Sequence, residues 1–212
     1  SSYIRGMVRA FSRRGIDVLA WNFRGCSGEP NRTSRFYHSG ATEDMHTVMS
    51  HVVANNRYRR IDLIGFSLGG NMMLKYLGDG VYDIPDVVQR AVAFSVPCDL
   101  AACSAELARP HNTLYMKRFL RLLHEKIRAK MQLLPGVLDD TNYKSLRTFK
   151  DFDDRYTAPL HGFRDANHYW SVCSSRQFVP SIRIPTLMVN ALDDPFLAPT
   201  AYPVAEAQRN PL

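Results

Sequence analysis

The segment Gly65-Phe66-Ser67-Leu68-Gly69-Gly70-Asn71 sets one serine in a G-x-S-x-G pattern. The apolar run Ile61-Asp62-Leu63-Ile64 before it reads as a strand. The residues after it read as a helix through Met72, Met73, Tyr76 and Leu77 that stops at Gly78. That context, more than the bare pattern, points to chemistry. A chain turning from strand to helix in so few residues strains its central residue and lifts that hydroxyl clear of the sheet edge. Glycine is expected at 65 and 69 because side chains there would collide across the turn, and at 70 to let the helix approach the sheet. Ser67 then stands at a helix N-terminus, where the backbone N–H of Leu68 can face a developing oxyanion. The Lys-Ser/Thr of a phosphate loop and the spacing of a dinucleotide fingerprint are both missing here.

A serine hydroxyl is a weak nucleophile and needs a base held by a carboxylate. On a strand–turn–helix scaffold the chain order is Ser, then an acid after a later strand, then His. The apolar run 186–190 leads into Ala191-Leu192-Asp193-Asp194-Pro195-Phe196, so an acid stands where one is needed. Asp193 has the better position; Asp194 is the alternative, with capping of the turn ahead of Pro195 as its competing task. All seven histidines (His38, His46, His51, His111, His124, His161 and His168) precede these acids. His46 and His51 read as the solvent face of a helix, and His161 and His168 as hydrogen-bonding or surface residues. The base is therefore expected beyond Leu212, and this polypeptide is expected to be inactive or nearly so by itself.

Holding a serine and an acid at one edge requires a sheet. Residues 1–11 read as an amphipathic helix with Ile4, Met7, Val8 and Phe11 on one face. Residues 16–23 read as a buried strand, followed by a helix with Thr42 as N-cap and Glu43 and Asp44 in its first turn. Further strands are expected over 61–66, 91–96 and 186–190, separated by helices, which indicates an α/β fold with a parallel sheet covered on both faces. The alternation breaks between Asp99 and Pro180, where the sequence is helical. The expected organisation is residues 1–98 as the N-terminal part of the core, 99–180 as a helical cap, and 181–212 as the C-terminal part of the core. Both ends read as cut.

Composition narrows the classes. The 212 residues are 45% hydrophobic and 22% charged, an ordinary globular mixture. The net charge of +7 is not gathered into one basic run, so nucleic acid is not an expected partner. Cys26, Cys98, Cys103 and Cys173 show no paired spacing, which argues against a metal site and for unpaired buried thiols in a reducing compartment. No apolar run approaches the roughly 20 residues that span a bilayer, and a cytoplasmic protein is expected.

The segments Asn22-Phe23-Arg24-Gly25-Cys26-Ser27-Gly28-Glu29-Pro30-Asn31-Arg32, Tyr37-His38-Ser39-Gly40 and Thr42-Glu43-Asp44 resemble the YheT-type α/β-hydrolases. These include the plant embryogenesis-associated proteins and the animal α/β-hydrolase-domain lipases. Gly65 to Asn71, Phe152-Asp153-Asp154, His161-Gly162-Phe163 and the turn at Asp193-Asp194-Pro195-Phe196 fit the same pattern, so the resemblance covers essentially the whole chain. It implies an α/β-hydrolase fold and a serine hydrolase of carboxylic esters, lipid or acylglycerol-like, with no cofactor. Ser67 would be the nucleophile, Asp193 (or Asp194) would orient the base, and Leu68 would supply one oxyanion N–H. It also implies an HG-type oxyanion loop before Ser1 and a Gly-Gly-His segment after Leu212.

Two segments frame the expected site. The loop from Arg24 to Gly40 follows a strand at the carboxyl edge, where Arg24, Glu29, Arg32 and His38 could shape a substrate pocket. The competing reading is an internally bonded loop, with Arg24 paired to Glu29 or Asp44. Residues 114–131 form a basic amphipathic helix, with Phe119, Leu120, Leu123, Ile127 and Met131 on one side and Lys117, Arg118, Arg121, Arg128 and Lys130 largely elsewhere. Such a face is able to meet anionic headgroups at a membrane surface, though a cap helix with a solvated face is the simpler account. Two readings compete with hydrolysis: a non-catalytic scaffold on the same fold, and acyl transfer to an alcohol through the same serine. Oligomeric state is not legible.

Overall fold

A computed structural model describes residues 2–211. Three strands form one parallel sheet in the order β1 (Ile61–Phe66), β2 (Val88–Phe94), β3 (Thr186–Val189). The register sets Ile64 against Val92 and Val92 against Leu187, and one pleat further on Phe66 against Phe94 and Phe94 against Val189. Alternate residues Leu63, Gly65, Ala91 and Ala93 therefore point to the opposite face, and all four are buried.

That buried face carries α2 (Thr42–Ala54) and α3 (Leu68–Gly78). Met45 and Met49 of α2 join Met72, Met73, Tyr76 and Leu77 of α3 in one core with Leu63, Ala91 and Ala93. The other face is thinner than expected. Tyr3 of α1 (Ser2–Ser12) meets Phe66 at 4.9 Å between ring centres, while Ile64, Leu187 and Val189 stay 36%, 59% and 41% exposed. The expected α1 stripe is present: Ile4, Met7, Val8 and Phe11 are its half-buried residues.

Three local expectations are corrected. Residues 16–23 form no strand; no described residue pairs with them in a ladder, and Ile16, Val18, Leu19 and Trp21 are exposed. An extended run becomes a strand only when a neighbour accepts its backbone bonds. Thr42 is the first helical residue of α2, not its cap; Ala41 holds the cap position with no side-chain bond. His46 faces inward, stacked on Tyr82 at 4.1 Å with Nδ1 3.3 Å from the Tyr76 hydroxyl.

Between β2 and β3 the chain is helical among the described residues: α4 (Leu100–Leu107), α5 (Thr113–Leu133), the short α6 (Phe149–Phe152) and α7 (Ala158–His161), and α8 (Ala166–Cys173). Asp99 caps α4 by accepting from Ala102 N–H at 3.0 Å, and Thr148 with Asp151 forms a capping box on α6. Leu120 and Ile127 of α5 are buried with Tyr143, Phe152 and Tyr156 in a second core, with Phe119, Leu123 and Met131 packed around it. This is the apolar side expected for the helix. After β3 the chain ends in α9 (Val204–Gln208). No described helix is long and apolar enough to cross a membrane.

Candidate active site

Ser67 sits between β1 and α3 with φ 49° and ψ −121°. Its N–H continues the ladder to Phe94 O at 2.8 Å, while its carbonyl already accepts Asn71 N–H of the helix at 3.0 Å. One residue thus closes the strand and opens the helix. A positive φ is costly for a residue with a Cβ and is kept where the surroundings enforce it. The hydroxyl is exposed and has no hydrogen-bond partner among the described residues. Leu68 is the first residue of α3, so its N–H has no acceptor within the helix.

The turn is tight because of Gly65 and Gly70, not Gly65 and Gly69. A Cβ on Gly65 would lie 2.6 Å from Gly70 Cα, and one on Gly70 would run into Val96 Cγ2. A Cβ on Gly69 would meet nothing closer than the Phe23 ring at 3.8 Å. The expected collision at 69 is therefore absent, and the close approach is between the strand end and the second residue pair of the helix.

The acids leave β3 at the same sheet edge, since all strands are parallel. Ser95 N–H donates to Val189 O at 2.9 Å and Val96 N–H to the Asn190 side-chain oxygen at 3.0 Å, which ties the exits of β2 and β3 together. β1 and β3 lie two strand spacings apart, about 10 Å. Beyond Asn190 the two aspartates divide. Asp194 Oδ1 accepts the Phe196 N–H at 3.0 Å and is partly buried, whereas Asp193 is exposed and its carboxylate has no partner among the described residues.

None of the seven histidines is hydrogen-bonded to Ser67, Asp193 or Asp194 among the described residues. His124 Nε2 pairs with Asp140 at 2.8 Å and its ring stacks on Tyr143, His111 pairs with Glu106, and His168 Nδ1 accepts from Arg164 N–H. His38 and His161 pack on each other.

Of the two partners the internally bonded reading offered Arg24, Glu29 or Asp44, the structure shows Asp44 of α2. Arg24 grips Asp44 with two guanidinium nitrogens, Nε at 3.0 Å from Oδ2, and that hydrogen bond is the main reason its pKa is raised. Glu29 and Arg32 are exposed on the loop surface. His38 is buried, with ring neighbours His161, Phe163 and Tyr169.

The sequence reading missed the groups that anchor this loop. Lys130, expected on the solvated side of α5, is 2% exposed; Nζ donates to the carbonyls of Asn31 at 2.7 Å, Thr33, and Arg35 at 3.4 Å, over the ring of Phe36. Lys126 donates to Gly25 O at 3.0 Å and lies 3.2 Å from Cys26 Sγ. One turn apart on a helix, the two lysines bind one loop along its length. Asn71, 0% exposed, donates to Ser39 O and Cys173 O at 3.0 and 2.8 Å and accepts Ser175 N–H at 2.9 Å. An amide four residues after the serine was the available signal, because a buried amide must find partners. Tyr169 also holds Ser39 through its hydroxyl.

Cys98, Cys103 and Cys173 are free and buried, as expected, and burial pushes their thiols up to about 11, 12 and 12. Cys26 is free and half-buried.

A strained serine on a strand–helix turn, with acids following a later parallel strand at the same edge, defines a hydrolase-type α/β protein. The chain belongs to the alpha/beta hydrolase fold family, whose family model matches residues 1–211. It is 37% identical over 209 residues to the YheT protein of Escherichia coli, covering 98% of this chain and 61% of that one. It is 31% identical to the phospholipase ABHD3 of Mus musculus, over 99% of this chain and 51% of the relative. A monoacylglycerol lipase of Saccharomyces cerevisiae is 27% identical over 99% of this chain and 48% of its own. The chain thus spans about half to three-fifths of the length of these relatives.

Proposed function

We propose that the complete protein is a carboxylic ester hydrolase that works through an acyl-enzyme on Ser67. The observation that carries this reading is the backbone of Ser67, with φ 49° between the last residue of β1 and the first of α3 and an exposed, unbonded hydroxyl. Ser67 Oγ attacks the ester carbonyl, the oxygen becomes an oxyanion facing Leu68 N–H, and the alcohol departs to leave an acylated serine. Water then cleaves the acyl-enzyme.

Asp193 orients the base in this scheme. Its free, exposed carboxylate supports that choice over Asp194, whose Oδ1 is occupied by the turn at Phe196. The base is a histidine outside these 212 residues, and the second oxyanion donor comes from outside them too. Residues 99–180 act as the cap, and the α5 lysines set the loop from Arg24 to Gly40 beside the site. The relatives named phospholipase and monoacylglycerol lipase support a lipid ester as substrate. A further relative is named medium-chain fatty acid ethyl ester synthase/esterase, which supports acyl transfer to an alcohol as the second reading.

The test is turnover of p-nitrophenyl esters and monoacylglycerols by the full-length protein. Ser67→Ala should lower kcat by roughly 10⁴-fold or more with the fold intact. Retained turnover in that variant would overturn the assignment. Product analysis in the presence of ethanol separates hydrolysis from transfer.

A further inference from the structure

A cavity of about 480 Å³ lies between the loop ahead of α2, the middle of α3, and the helices α7 and α8. It is separate from the serine turn: its α3 residue, Lys75, is about 12 Å along the helix from Ser67 at 1.5 Å per residue. Its polar wall is rich in donors. His38 Nδ1 accepts Gly40 N–H at 3.2 Å, which assigns its own proton to Nε2. His161 Nε2 is buried with no hydrogen-bond partner among the described residues, 4.4 Å from His38 between ring centres. Arg35 stands at the rim, where its guanidinium engages Glu43, the one carboxylate of the lining. Lys75 adds a second cation, paired at 2.6 Å with the buried Asp79.

The field inside follows from that wall. Desolvation pushes His38 down to about 3, with His161, Arg35 and Lys75 acting the same way. His161 is pushed down to about 4, by desolvation first, then by Arg35 and Arg24 against the opposing pull of Asp44. Both imidazoles are therefore neutral hydrogen-bonding groups, set beside two cations, Arg35 and Lys75, that are themselves paired with Glu43 and Asp79. A buried polar atom without a partner is costly, and in the tautomer that carries its proton on Nε2, His161 is complemented by an acceptor such as a carboxylate. Leu160, Phe163 and Val172 make the remaining wall apolar. Its volume is in the range of small-molecule sites.

We propose that this cavity binds a monocarboxylate with an apolar tail, its carboxylate meeting Arg35 and the Nε2 atoms of His38 and His161, and its tail lying on Leu160, Phe163 and Val172. The site is independent of Ser67 and of the chemistry proposed there.

The test is a titration of the full-length protein with sodium octanoate, followed by the ring-proton NMR resonances of His38 and His161. Acetate, octanamide and inorganic phosphate serve as comparison probes. Octanoate should move both resonances saturably, acetate should bind at least about tenfold more weakly for want of a tail, and octanamide and phosphate should move neither at the same concentration. His161→Phe and Arg35→Gln should each weaken octanoate by about tenfold or more. Arg35 lies at the rim, so its variant tests the site even if His161→Phe fails to fold. No saturable movement, equal movement with octanamide or phosphate, or binding unchanged in Arg35→Gln would overturn the proposal.

Discussion

Ser67 holds its strained backbone because two glycines without side chains let the strand end and the helix touch. The cost of a methyl group there is set by what it meets. Gly70→Ala drives a Cβ into Val96 Cγ2 and should destabilise the protein by about 1–3 kcal/mol in chemical denaturation. Gly69→Ala, with its nearest neighbour at 3.8 Å, should stay within about 0.5 kcal/mol of the parent. Equal losses in the two variants would contradict this account of the turn. The motif made Ser67 legible, since strand, glycines and helix are all local. Which glycine sits against which was not, because that depends on where Val96, two residues past the end of β2, arrives. The partners of Asn71 were not legible for the same reason: Ser39, Cys173 and Ser175 come from distant segments.

Among the elements, α5 illustrates where amphipathic patterning succeeds and where it stops. The spacing of Leu120, Leu123 and Ile127 marks the apolar side correctly, but charge alone assigned Lys130 to solvent. A long aliphatic stem lets its ammonium cross buried space to reach carbonyls. Burial lowers the pKa of Lys130, with Arg24 adding to the effect. Lys130→Met removes the donor and leaves loop carbonyls without a partner, a loss of about 1–3 kcal/mol. Hydrogen exchange should quicken in residues 24–36 before it does in α5; uniform exchange would argue that the lysine does not hold the loop. Strand legibility failed at residues 16–23 because composition records the tendency to be extended, while a ladder needs a neighbour. β1, β2 and β3 were legible because each has one, although β2 starts three residues and ends two residues before the expected 91–96.

Over the whole molecule, buried titratable groups set how stability responds to acid. His38 and His161 have folded values of about 3 and 4 against an ordinary 6.5, so the stability tied to their neutral forms is full above 6.5 and lost as pH falls toward 4. Asp153 acts in the opposite sense. Burial raises it to about 6, against hydrogen bonds from Thr157 and Trp170, so its contribution is present below the usual carboxylate range and lost as pH rises through 6. Between pH 4 and 6 two histidines oppose one aspartate, and His161, only half-buried, counts for less than a full group. The summed contribution of these three groups should therefore fall on acidification by less than about 1.4 kcal/mol per pH unit. Asp153→Asn removes the opposing slope and should make that fall steeper; a shallower fall would contradict the balance. The central claim is that one strained hydroxyl is the nucleophile, and covalent trapping reads it directly. Full-length protein treated with a fluorophosphonate should carry a single adduct on the peptide containing Ser67, absent from Ser67→Ala. An adduct on another residue, or one that persists in Ser67→Ala, would contradict it.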